Sequence, residues 1–230
     1  MRFATICAMV GAALALQGPA AAQVDAERLS AWKERIDDAY GLEWEEREDA
    51  TSQLLAVAQE AEEYLASGTF TQEERLDLLK IVGTSYFGAA QHHDSEWDTP
   101  EDVLDREWLI KTVSALEPLL AARGAFDAPA YDFRGAAGQL FDHARYHDLP
   151  ELTDWSRMRV LGNRYMLERA GGEDEFEREL LAVSLYEHGW LTQNAALISE
   201  AEELYASFPE DDKPYAVERA RESVITDFQS

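Results

Sequence analysis

The chain has 230 residues, with 20 Lys and Arg against 46 Asp and Glu, and a formal net charge of −26 at pH 7. A charge this negative repels phosphate backbones and anionic lipid heads, so it argues against nucleic acid and membrane surfaces as partners. The single cysteine, Cys7, lies near the start of the chain, so residues 23–230 have no thiol for a disulfide, a nucleophile or a metal ligand.

Arg2 precedes an apolar run over residues 3–16, which is followed by Gly18-Pro19-Ala20-Ala21-Ala22. A basic residue, a short apolar stretch and a small-x-small end are the three parts of a cleavable secretory signal. The run is shorter than the ~20 residues a bilayer-crossing helix needs, and Gly18-Pro19 breaks it. Cys7 lies too early to accept a lipid. Cleavage is therefore expected before Gln23, leaving 23–230 as one domain of net charge −27 once Arg2 is lost. Its compartment would be periplasmic or secreted, with no stable membrane insertion after cleavage. A domain of this length can bury a sizeable core without crosslinks.

The remainder reads as helix throughout, because Ala, Leu and Glu dominate, Pro is scarce and no stretch alternates for long enough to make a strand. Leu29, Trp32, Ile36 and Ala39 mark one face of a helix over about 25–40, and Leu54, Ala58, Ala61 and Leu65 one over about 44–67, ended by Gly68. Thr71 with Glu74 forms a capping box, opening a third helix whose stripe is Leu76, Leu79, Gly83, Tyr86, Phe87 and Ala90. Pro100 begins a fourth, which runs to Arg123 through Leu104, Trp108, Val113, Leu116 and Leu120, with a kink expected at Pro118. After a turn-like stretch over 124–132, helices are expected at about 133–148, 150–171, 174–188, 192–207 and 212–227.

Internal similarity points to paired helices. Gly88-Ala89-Ala90 recurs 47 residues on as Gly135-Ala136-Ala137, each followed by a His-Asp pair, His93-Asp94 and His147-Asp148. Residues 60–67 also resemble residues 200–207. These features predict an all-α chain of about nine helices arranged as stacked αα-hairpins, with a compact helical bundle as the alternative. In the segment after residue 188, Gly189, Ala201 and Tyr205 resemble the Gly, Ala and aromatic spacing of tetratricopeptide-type repeats. Thr192, Phe208 and Pro214 depart from that pattern, which would also place Gly189 inside a helix rather than in the turn expected after 188. The resemblance implies a solenoid that binds a protein or peptide.

Two histidine clusters could carry chemistry: His92, His93 and Asp94, and His143, His147 and Asp148. His143 and His147, four apart, share one helix face, a spacing that can clamp a metal. If stacked hairpins brought the clusters together, they would make a His-carboxylate site for a metal-dependent hydrolase. The plainer reading is that histidines suit helix C-termini, where the dipole favours them. Ser30 and Lys33 have a Ser-x-x-Lys spacing but no downstream partner motif, and no phosphate loop, dinucleotide fingerprint or nucleophile elbow is present. Trp32, Trp108 and Trp155 fall on apolar stripes, whereas Trp44, Trp97 and Trp190 lie near helix ends. Of these, Trp97 and Trp190 are the candidate partner-binding residues. The preferred reading is an exported helical-repeat protein, without catalysis or cofactor, that binds a protein or peptide, a basic one in view of the charge. Intact-mass analysis of the exported protein should give a chain beginning at Gln23, and a mass that retains residues 1–22 would remove the compartment argument.

Overall fold

The side chain of Asp25 accepts hydrogen bonds from the backbone N–H groups of Glu27 and Arg28 and so opens α1, Ala26–Tyr40. A 3-10 turn, Trp44–Glu46, leads into α2, Arg47–Ser67. The capping box is present: Thr71 Oγ1 accepts from Glu74 N–H while Glu74 accepts from Thr71 N–H, and α3 follows as Gln72–His92. Glu74 also accepts from Val24 N–H at 3.0 Å, tying the start of α1 to α3. The remaining helices are α4 (Val103–Arg123), α5 (Ala130–Tyr146), α6 (Leu152–Arg169), α7 (Glu175–Leu191), α8 (Ala195–Ser207) and α9 (Tyr215–Phe228). The computed structural model describes residues 24–93, 103–124, 129–211 and 213–228, without the side chains of 44, 103, 104 and 225–228. No strand occurs among the described residues, and the expected signal segment lies outside them.

Several boundaries move for local reasons. Helix α5 begins at Ala130, three residues before the expected start, because Pro129, with φ −74°, already supplies the backbone angle of a helix entry. Helix α7 continues through Gly189 to Leu191, and Gln193 then takes a left-handed φ of 54° before Asn194 caps α8. The α5–α6 turn is built alike, with Asp148 at φ 52°. Helix α4 runs unbroken past Pro118, which sits on its exposed side.

The helices pack in chain order, α1 on α2, α2 on α3, and so on to α7 on α8. Substantial non-adjacent contacts join α1 to α3, α3 to α5 and α7 to α9, all odd-numbered helices. Two glycines permit the first two of these approaches. A Cβ on Gly88 of α3 would lie 2.6 Å from the Tyr40 hydroxyl of α1, and one on Gly135 of α5 would lie 2.7 Å from Phe87 of α3. Glycines and rings are both 47 residues apart, so one contact is made twice at the spacing of the sequence repeat. The α5–α7 junction uses charge instead: Arg134 pairs with Glu177 at 2.7 Å and Arg145 with Glu187 at 2.9 Å.

The apolar core follows the same serial order. One cluster joins α1–α3 around Trp32, Leu54 and Tyr86. A second joins α3–α5 around Phe87, Leu116 and Phe133, and a third joins α6–α9 around Leu185, Tyr186 and Val217. Trp108 and Trp155 pack half-buried against the second, as their stripes predict. Glycine substitutions test this packing. A Cβ on Gly83 would collide with buried Leu116, whereas one on Gly138 meets nothing within 4 Å. Gly83→Ala should cost about 2 kcal/mol by overpacking, and Gly138→Ala should gain up to ~1 kcal/mol by helix propensity, both read from urea unfolding.

Candidate functional site

The C-termini of α5 and α7 and the length of α9 enclose a groove of about 650 Å³. Helix α5 contributes Phe141 and Arg145, one turn apart, and α7 contributes Val183, Glu187, Trp190 and Leu191. Helix α9 presents Ala216, Ala220 and Val224 along one stripe, with Arg219 and Ser223 beside it, while Asp148 and Leu152 close one end. The floor is therefore apolar, and the charges on the walls balance, two arginines against Asp148 and Glu187. Glu187 is shared between Arg145 and Arg159, and the Arg159 guanidinium lies 4.8 Å from the Phe141 ring centre. Trp190 is 40% exposed within this groove, and the exposed rings of Tyr146 and Tyr215 adjoin lining residues in sequence.

Of the two tryptophans singled out in the sequence, Trp190 thus lies in the groove, and Trp97 lies outside the described residues. The histidines take local partners. The ring of His92 packs on Tyr40, with centroids 5.7 Å apart. His93 Nδ1 lies 2.7 Å from Asp105, a buried carboxylate on α4, and its ring packs edge-on against Trp108. His143, buried, and His147 pack ring to ring at 4.6 Å, and Tyr146 closes on His147. Asp148 occupies the left-handed turn position described above. Asp94 lies outside the described residues. Among the described residues, no three His, Cys, Asp or Glu side chains gather into a group that could hold a metal ion.

The fifth histidine, which the sequence reading passed over, has a polar partner. Ser156 donates to the Thr153 carbonyl at 2.8 Å and lies 2.7 Å from His188 Nδ1. Since the Ser156 proton is already engaged, His188 Nδ1–H is the donor of that contact. Burial and then the nearby Arg157 hold His188 below its usual range, consistent with a neutral ring. Residues 32 apart in sequence carry no local signal of such a pair.

A second polar place lies where α1, α3 and α5 meet. The Tyr40 hydroxyl tucks onto α3, 3.5 Å from the Thr84 carbonyl, and burial followed by the Asp132 charge raises its pKa well above the usual tyrosine range. Burial pushes the Asp132 carboxyl up to about 6, against the opposing influences of Thr84, Lys80 and Arg169. The Thr84 hydroxyl is near enough to favour the ionised form, yet it is buried without a well-formed hydrogen bond. Tyr131, 58% exposed, stands beside Asp132 in sequence and packs edge-on against Phe87 at 6.3 Å.

Comparison with known proteins gives no match to any family model, curated protein or solved structure.

The elevated Asp132 predicts a pH-dependent stability. Its folded-state value lies above the unfolded one, so the penalty is absent below about 4, grows as pH rises, and is complete above about 6. Asp132→Asn should match the parent chain near pH 4 and exceed it by about 1–2 kcal/mol at pH 7.5, allowing for the part of the residue that still meets solvent. Chemical denaturation at the two pH values measures the difference.

Proposed function

We propose that this chain is an exported helical-repeat protein that binds a segment of a protein or peptide partner and carries out no catalysis of its own. The observation that carries this reading is the groove itself: its walls come from α5, α7 and α9, alternate helices of the chain, and its floor is apolar with an exposed tryptophan. In a stack of αα-hairpins the alternate helices form one face, and that face is the usual binding surface. The glycine-to-ring contact repeated at the spacing of the sequence repeat supports paired helices, while the contacts of α1 with α3, α3 with α5 and α7 with α9 suit a compact bundle equally well. The tetratricopeptide resemblance is supported by Gly189 lying within α7, close against Ile198 of α8, and by the full burial of Ala201.

The net charge of −26 supports a basic partner, drawn in over the ~10 Å range of electrostatics at 0.1 M salt. The balanced groove walls then leave the close contact to apolar and aromatic groups, with Trp190 as the anchor. The exported chain, used as bait on an envelope extract, should retain a partner more weakly as salt rises. Trp190→Ala should weaken retention about tenfold while leaving the circular dichroism unchanged. Equal retention by both proteins would place the binding surface elsewhere, and recovery of no partner at low salt would remove the reading.

A further inference from the structure

Every residue that lines the groove of α5, α7 and α9, except Asp148, lies within a helix, so no strand edge borders it. We propose, on the reading that this groove is the binding site, that the partner's segment docks in it as an amphipathic α-helix. That helix runs antiparallel to α5 and α7, with its N-terminus and a basic residue at Asp148.

Hydrogen-bonding capacity decides the form of the segment. An extended chain laid on an apolar floor brings one N–H and one C=O per residue, and each is costly to leave unpaired away from water. Acceptors for those N–H groups are scarce here. Both oxygens of Glu187 are engaged, one by Arg145 at 2.9 Å and the other by Arg159. Ser223 is turned to its own helix, donating to the Arg219 carbonyl at 2.9 Å. A helix satisfies its own backbone and asks only for apolar contact. Ala216, Ala220 and Val224 stand on successive turns of α9, a stripe about 12 Å long at the helical rise. That length matches two turns of an incoming helix, and the two small side chains let its axis come close.

Charge sets the direction. The Arg134–Glu177 and Arg145–Glu187 pairs advance the same way along both helices, so α5 and α7 are parallel. Asp148 lies just past the C-terminus of α5 and makes no ion pair among the described residues. The negative end of that helix and the adjoining carboxylate favour the positive N-terminus of an incoming helix and a basic side chain on it. Arg219, on the α9 wall, lies 5.9 Å from the Tyr215 ring centre and also makes no ion pair among the described residues. It suits an acidic residue further along the same partner helix.

The probe is a display library of random peptides of about 16 residues, long enough for four helical turns. It is selected on the exported chain and counter-selected on Ala220→Trp, which fills the groove, or on Ala216→Trp if that variant loses its helical circular dichroism. Groove-dependent peptides should carry apolar residues at i, i+4 and i+7 behind a basic one, and show helical Cα shifts by nuclear magnetic resonance when bound. A central proline should weaken them at least tenfold. Asp148→Asn, which keeps a residue tolerant of the left-handed turn, should weaken them about threefold. Groove-dependent peptides that bind extended, or that tolerate the proline, overturn helical docking while leaving the groove as the binding site. A dimer in light scattering that Ala220→Trp dissociates would put a second copy of the chain there and overturn it too. So would the absence of any groove-dependent peptide, and partner retention by Trp190→Ala then decides separately whether the groove reading also falls.

Discussion

Close approach of α1 to α3, α3 to α5 and α7 to α9 is the constraint on which the rest of the structure depends. At two successive junctions it is made possible by a glycine facing a ring, Gly88 against Tyr40 and Gly135 against Phe87. Without a Cβ at those positions the backbones can come near enough for the rings to fill the space, and interiors packed to crystal-like density do not tolerate an added carbon there. Once the odd helices lie side by side, the even helices complete the burial along the chain. The three apolar clusters accordingly succeed one another in chain order.

Charge limits how this can be done. A formal charge of −26 makes the folded chain repel itself, and several Lys and Arg offset it between helices. Arg123 reaches Asp77, Arg164 reaches Glu200 and Arg221 reaches Glu202, each joining two helices. Exposed pairs of this kind contribute little individually. The Arg134–Glu177 pair is more enclosed and spans α5 and α7. Between α2, α3 and α4, Lys111 donates to the Tyr86 hydroxyl at 2.8 Å while Tyr86 donates to Glu62 at 2.7 Å, so a large ring is buried with its oxygen satisfied.

The binding reading follows from this arrangement. The packing of α5, α7 and α9 brings together at the groove residues that sequence neighbours cannot. Trp190 remains partly open to solvent there. The histidines differ in this respect. Each lies against a ring or a polar side chain near it in the fold.

Much of the helical architecture was legible in the sequence, because it is written in local chemistry. The Thr71–Glu74 capping box, Gly68 and Gly124 at helix ends, and stripes such as Trp32, Ile36 and Ala39 act within a turn or two of themselves. Boundaries slipped where the deciding residue was a proline used as an entry, as at Pro129, or a non-glycine in a left-handed turn, as at Gln193. The repeat of Gly88 at Gly135 was visible, but its purpose was not, since the rings it faces sit on other helices. The sites depended on tertiary structure in the same way. Trp190 could be singled out as an aromatic near a helix end, whereas Arg145, Glu187 and Arg219 join it only through the packing of three helices. Asp132 is one of 46 acidic residues, and nothing beside it in sequence distinguishes it from the rest. Its special character comes from desolvation by helices 40 and more residues away, a property of packing that no local pattern records.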